Sequence, residues 1–162
     1  MGALARAIEI AAEAHEGQRD KAGEPYIAHP MRLMARFLAA GGEQDAIIAA
    51  LHDVVERSEW TLEDLRREGF SDEVVFAIEA LTRKDGEEYL AFIRRAASHP
   101  QARFVKQADL LDNMTHLSKV RDGARLSQKY ASGLSTLHET PLPLSCASAS
   151  DHLTARWPSP RS

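Results

Sequence analysis

The sequence has 162 residues, 20 Lys and Arg against 24 Asp and Glu for a formal net charge of -4, and a 44% hydrophobic fraction. That length suits one compact domain with a tail, able to bury a core without disulfides or a structural metal. The mildly acidic balance argues against broad nucleic-acid binding, the single Cys146 excludes disulfide scaffolds and cysteine-based zinc sites, and no apolar run nears the ~20 residues of a membrane span.

The opening MGALARAIEIAAEAHEG reads as an amphipathic helix over 2–16 and not as a signal peptide, which places the chain in the cytoplasm. Residues 17–25, GQRDKAGEP, form an irregular, charged loop. Helical spacing resumes over 27–40, where Gly41-Gly42 end it, and predicts further helices over 43–57, 61–68, 71–83, 86–98, 101–119 and 124–138. Thr61 with Asp64 three residues on resembles a capping box, Ser71 precedes two acids, and Pro100 suits a first helical turn. No alternating strand pattern appears, so the expected fold is all-α. From Pro141 the sequence PLPLSCASASDHLTARWPSPRS is rich in Pro and Ser without a sustained period, so a domain over 1–140 and a disordered tail over 141–162 are expected.

Within helix 43–57 the residues Ile47, Ile48, Leu51, Val54 and Val55 supply a buried face, and His52-Asp53 sit at its flank. Singly, such a His is a core histidine bonded to a backbone carbonyl and such an Asp a solvated helix charge. Their company shifts the reading: His29 lies in PYIAHP, and Asp109 in VKQADLLDNM is an acid embedded among aliphatic residues. An unpaired buried carboxylate there would cost several kcal/mol, which a cation or a paired base would offset. Mixed imidazole and carboxylate groups converging in this way suit a divalent ion.

The series PYIAHP, LHDVVE and VKQADLLDNM, in this order, resembles the HD phosphohydrolase superfamily. More narrowly, it is similar to the hydrolase domain of the Rel/Spo alarmone enzymes and their small single-domain relatives, which remove pyrophosphate from the 3′ position of (p)ppGpp. The resemblance covers most of residues 3–137 and implies an HD-domain helical bundle. It implies one Mn2+ held by His29, His52, Asp53 and Asp109, with Asn113 facing the nucleotide and Glu56 orienting the attacking water or shuttling its proton. A bound cation would acidify that water and neutralise charge on the phosphoryl oxygens. Lys21 matches a family lysine, and Arg19, Arg83, Lys84, Lys106 and Lys119 are further candidates to hold diphosphates. His15 is read as packing or as support behind the ligands. The synthetase and regulatory domains of long family members have no counterpart, so synthesis is not expected.

Two positions depart from the family pattern. HDVVED is usual where this chain has HDVVER, so Arg57 stands in place of an acid. Each charge unit there is worth roughly 3 kcal/mol at ~6 Å and an effective dielectric of ~20; Arg57 either weakens hydrolysis or clamps a phosphate. The family also carries an Arg immediately before the matching lysine, where it stacks on guanine, whereas this chain has Asp20 there and Arg19 one step earlier. Tyr89 and Tyr130 are candidate aromatic contacts, and Trp60 is assigned to packing. The expected activity is therefore Mn-dependent hydrolysis of the 3′-pyrophosphate of guanosine 3′,5′-bis(diphosphate). Its alternatives are hydrolysis of another nucleotide or phosphoester, and a catalytically weak nucleotide-binding or regulatory protein. A homodimer is compatible with the exposed helix faces of so small a bundle.

Overall fold

The computed structural model describes residues 2–117 and 120–143. Nine helices form among the described residues, with no strand: α1 (Ala3–Ala14), α2 (Ala28–Ala39), α3 (Glu43–Leu51), α4 (Val54–Arg57), α5 (Leu62–Arg67), α6 (Asp72–Leu81), α7 (Tyr89–Ala97), α8 (Pro100–Thr115) and α9 (Gly123–Glu139). The all-α expectation holds. Residues 141–143 are non-helical; the rest of the expected tail, with Cys146, lies outside the described residues, as do Ser118 and Lys119.

The helices follow from apolar spacing and from their caps. In α1, Ala7, Ile10, Ala11 and Ala14 recur at helical spacing and are all buried. Residues 46–51 of α3 are buried without interruption, because this helix runs through the centre of the bundle with α1 and α2 packed along it. Thr61 and Asp64 form the expected capping box of α5, Ser71 accepts from the Val74 amide at the start of α6, and His99 with Pro100 opens α8. Helix α7 starts at Tyr89 and not at residue 86, because Gly86 takes a positive φ of 72° and the Glu88 carboxylate caps the Leu90 and Ala91 amides.

The expected helix 43–57 is broken. His52 and Asp53 form a turn between α3 and α4, where the His52 Nδ1 approaches the Ala49 carbonyl at 2.7 Å and Asp53 has φ -105° and ψ -4°. A side chain that engages a carbonyl of the preceding turn competes with the helical ladder. Similarly, α8 stops at Thr115, where the Thr115 hydroxyl donates to the Asp112 carbonyl at 2.7 Å and the His116 Nδ1 lies 2.8 Å from it.

Two apolar clusters make the core. The larger joins α1, α2, α3, α5 and α6 to Ala102, Val105 and Ala108 of α8. The smaller joins Phe92, Ile93, Ala96 and Ala97 of α7 to Leu110 and Leu137, with Tyr89, Tyr130 and Leu134 against it. Helix α8 thus serves both, and Asp109 lies between Ala108 of one cluster and Leu110 of the other.

Candidate metal centre and anion cleft

Three elements bring the titratable groups together: α2 carries His29, the α3–α4 turn carries His52 and Asp53, and α8 carries Asp109. One ligand atom from each of His29, His52 and Asp53 lies within 4.8 Å of the others, a grouping that could hold a metal ion. Asp109 borders this group: its Oδ1 is 3.1 Å from the His29 Nε2 and 4.0 Å from the His52 Nε2.

The orientation of the imidazoles suits a metal. His52 has Nδ1 against the Ala49 carbonyl, and His29 has Nδ1 2.8 Å from the Asp112 Oδ2. In the neutral imidazole, a proton held at Nδ1 by such an acceptor leaves the lone pair on Nε2. Both Nε2 atoms are buried and meet only carboxylate oxygens, the Asp109 Oδ1 at 3.1 Å from His29 and the Asp53 Oδ2 at 3.2 Å from His52, in neither case with good hydrogen-bond geometry. Two buried imidazole nitrogens turned toward one carboxylate cluster, without a hydrogen bond of good geometry, are what a cation would satisfy.

The acids are held ionised. Burial opposes the charge on Asp53, yet His52, His29 and the Tyr26 hydroxyl keep its carboxyl well below the usual range. Burial also opposes the charge on Asp109, and Lys106, whose Nζ is 2.7 Å from its Oδ2, with His29 outweighs it. For His29, burial disfavours the imidazolium, but Asp109 and Asp112 lift the pKa to about 9. A metal held here by His29 would have to displace a proton.

Beside the cluster opens a cleft of about 310 Å³, lined by Arg19, Lys21, Arg57, Arg83, Lys106 and Lys129 together with Asp20, Asp53, Glu56 and Asp109. Tyr26, Tyr89, Phe92 and Tyr130 contribute aromatic walls. Concentrating so many cations in one concavity of an acidic chain suits an anionic ligand.

Among the expected substrate contacts, Lys21 lines the cleft, and its Nζ is 3.5 Å from the Tyr130 hydroxyl. Arg19 lines it as well, but donates to the Gly23 carbonyl at 2.8 Å and so also braces its own loop. Asn113 donates its amide to the Asp109 carbonyl and Oδ1, at 2.9 and 2.5 Å. Lys84 is absent from the lining, and its backbone amide binds Glu87 at 3.0 Å. Asp20 turns its carboxylate into the loop, accepting from the Ala22 and Glu24 amides at 2.8 and 2.9 Å. Glu56 lines the cleft, and its Oε2 accepts from the Arg83 amide at 3.2 Å. Arg57 stands over the Tyr26 ring at 4.1 Å, with Nε 3.9 Å from the Asp53 Oδ2. His15 is buried behind Tyr26, with Nδ1 3.1 Å from the Gln18 Oε1.

Sequence reasoning missed Tyr26 and Asp112. The Tyr26 hydroxyl donates to Asp53, and the wholly buried Asp112 receives Arg32 and Arg36 besides His29. The signal for Asp112 was present: it follows Asp109 by three residues on α8, and Arg32 and Arg36 follow His29 by three and seven on α2, spacings that share a helix face.

Comparison with known proteins agrees with this architecture. A protein of Aquifex aeolicus named guanosine-3′,5′-bis(diphosphate) 3′-pyrophosphohydrolase is 34% identical over 75% of this chain and 19% of its own length. A GTP pyrophosphokinase of Streptomyces coelicolor is 34% identical over 68% of this chain and 14% of its own, and the Escherichia coli bifunctional (p)ppGpp synthase/hydrolase SpoT is 28% identical over 75% and 19%. The matched region thus spans a fifth or less of these relatives. A solved structure, described as a metazoan ortholog of SpoT that hydrolyses ppGpp, shares the fold with a TM-score of 0.73 at 24% identity, covering 86% of this chain and 88% of that one. A helical bundle that turns two imidazole Nε2 atoms toward paired aspartates, and whose residues 7–138 match the family model described as HD domain, belongs to the HD domain family.

Proposed function

We propose that this chain is a divalent-metal-dependent phosphohydrolase that uses Mn2+ to release pyrophosphate from the 3′ position of guanosine 3′,5′-bis(diphosphate). The observation that carries the reading is the convergence of two buried Nε2 atoms on the Asp53 and Asp109 carboxylates, at the edge of a cleft rich in cations. His29, His52, Asp53 and Asp109 would hold the ion. Bound there, it would lower the pKa of a water and neutralise charge on the phosphoryl oxygens.

The chain's own groups supply the remainder. Glu56, with one oxygen engaged by the Arg83 amide, is placed to orient the water and accept its proton. The water oxygen bonds to the phosphorus attached to the ribose 3′-oxygen, that P–O bond breaks, the 3′-oxygen takes a proton, and diphosphate departs. Lys21, Arg83 and Lys129 line the cleft where the substrate's phosphates would lie. The relatives named above as ppGpp pyrophosphohydrolases support this choice of substrate. We place the protein in the cytoplasm, and no described helix is long and apolar enough to cross a membrane.

Incubation with Mn2+ and ppGpp should yield GDP and pyrophosphate, reversibly abolished by chelation. Replacing His52 by Ala or Asp53 by Asn should lower the rate by about 10³-fold or more, the several kcal/mol that metal chemistry supplies. A folded, metal-loaded sample without turnover defeats the assignment. A second reading, hydrolysis of a different nucleotide, draws on one observation: Asp20 is folded into its own loop and offers no platform for a guanine. A nucleotide panel separates the two readings.

A further inference from the structure

We propose that Arg57 is the binding fork for the terminal phosphate of a diphosphate whose inner phosphate lies at the metal centre. This deepens the reading above and rests on it for the position of the ion. Arg57 ends α4, four residues after Asp53, and its backbone carbonyl is fixed by the Gln18 amide at 2.8 Å. Its guanidinium carbon stands 4.1 Å from the Tyr26 ring centroid, and Tyr26 is itself buried and donates to Asp53. Aromatic support of this kind restricts the long side chain before any ligand arrives.

The fork is positioned without being consumed. Only Nε approaches Asp53, at 3.9 Å, beyond hydrogen-bond distance, and the Asp53 Oδ2 already accepts from Tyr26. Neither terminal nitrogen of Arg57 has a hydrogen-bond partner among the described residues, the side chain is 43% exposed, and the residue lines the cleft. With the guanidinium half-exposed and no hydrogen bond made, the pair contributes little as a salt bridge, so the ion pair alone does not account for the placement.

Charge decides what the fork faces. A divalent ion between Asp53 and Asp109 would offset the carboxylate charge that now attracts Arg57 and so free the guanidinium for another anion. Guanidinium binds phosphate in bidentate fashion. A diphosphate with its inner phosphate at the ion would present its terminal phosphate separately to the guanidinium. The specificity that follows is for a substrate carrying a terminal diphosphate over the corresponding monophosphate.

The test measures binding and needs no turnover. Methylenediphosphonate, which cannot be hydrolysed, and inorganic phosphate are titrated calorimetrically into the full chain with free Mn2+ buffered, for wild type, Arg57→Ala and Arg57→Lys. Methylenediphosphonate affinity should fall about 10- to 100-fold in Arg57→Ala and recover only partly in Arg57→Lys, which keeps the charge without the fork, while phosphate affinity changes less than about threefold. Mn2+ affinity should be unchanged or higher in Arg57→Ala, because a cation beside Asp53 has gone. Equal methylenediphosphonate affinity in wild type and Arg57→Ala overturns the inference, as does a lysine variant as tight as wild type. A loss of Mn2+ affinity in a folded Arg57→Ala chain also overturns it, making Arg57 a prop for Asp53. Failure to hydrolyse ppGpp would remove the proposed substrate without touching these outcomes, and ppGpp turnover with unaltered methylenediphosphonate binding would remove the fork alone.

Discussion

His29 is the residue through which two carboxylates act at once, Asp109 toward its Nε2 and Asp112 toward its Nδ1. The second contact sets the first. A carboxylate behind a ligating imidazole fixes its tautomer and raises its basicity, and loss of such support typically lowers metal affinity 10- to 100-fold. Asp112→Asn keeps the shape and an acceptor for Arg32 but removes the anion, so Mn2+ affinity should drop by about that factor while the circular dichroism spectrum stays native. An unchanged Kd would mean that Asp112 serves only Arg32 and Arg36. At this scale an acid embedded in an aliphatic run drew attention to Asp109, the family resemblance joined it to His29, His52 and Asp53, and the structure brings these four side chains near one another. The partners behind them were not equally legible: Tyr26 reaches Asp53 across 27 residues and Asp112 reaches His29 across 83, distances that no periodicity encodes. Lys84 was selected by charge, and charge does not report which way a loop turns.

Between helices, the same limit appears at the ends. Caps such as Thr61, Ser71 and Pro100 are short-range signals and place their helices within a residue or two, whereas the break at His52-Asp53 depends on a side chain engaging the Ala49 carbonyl, which apolar spacing runs straight through. The α6–α7 junction shows what a tertiary clasp adds. Arg95 donates to both carboxylate oxygens of Glu87, at 2.8 and 2.7 Å, and to the Glu79, Ala80 and Thr82 carbonyls at the end of α6. The Glu87 carbonyl in turn receives Arg83, whose amide holds Glu56. The Arg95 hydrogen bonds bring the Glu87 pKa down from 4.5 to about 2. A depressed acid contributes stability that is full above its unfolded pKa and lost as pH falls through its folded one. Glu87→Gln should therefore cost about 1–2 kcal/mol at neutral pH, after allowance for solvent screening, and the gap from wild type should close between pH 4.5 and 2. Thermal melts of both proteins across that window check it; a gap independent of pH would assign the clasp to packing.

Across the whole molecule, the helices that position His29, His52 and Asp53 pack into one apolar cluster, and Tyr89, Phe92 and Tyr130 on the far wall of the cleft into the other, the two joined along α8. This division predicts that binding of metal and binding of substrate can be damaged separately. Gly133 in α9 is the place to do it. A Cβ there would stand 2.5 Å from the Tyr89 hydroxyl oxygen and 3.4 Å from a Leu110 methyl, and the Tyr89 oxygen is buried with no hydrogen-bond partner. Alanine would ordinarily stabilise a helix by roughly 1 kcal/mol relative to glycine, but overpacking of this kind costs about 1–3 kcal/mol, so the balance should be destabilising or near zero. The displaced tyrosine ring lines the cleft next to Lys106 and Lys129, whose ammonium lies 4.5 Å from that ring. Gly133→Ala should then raise KM several-fold while changing Mn2+ affinity little, since His29 on α2 and His52 and Asp53 on the α3–α4 turn lie away from α9, and only Asp109 of the four proposed ligands stands on a helix packed against it. Parallel loss of metal binding and substrate binding would show instead that the two clusters fold and respond as one unit, with α8 transmitting the strain from Leu110 to Asp109.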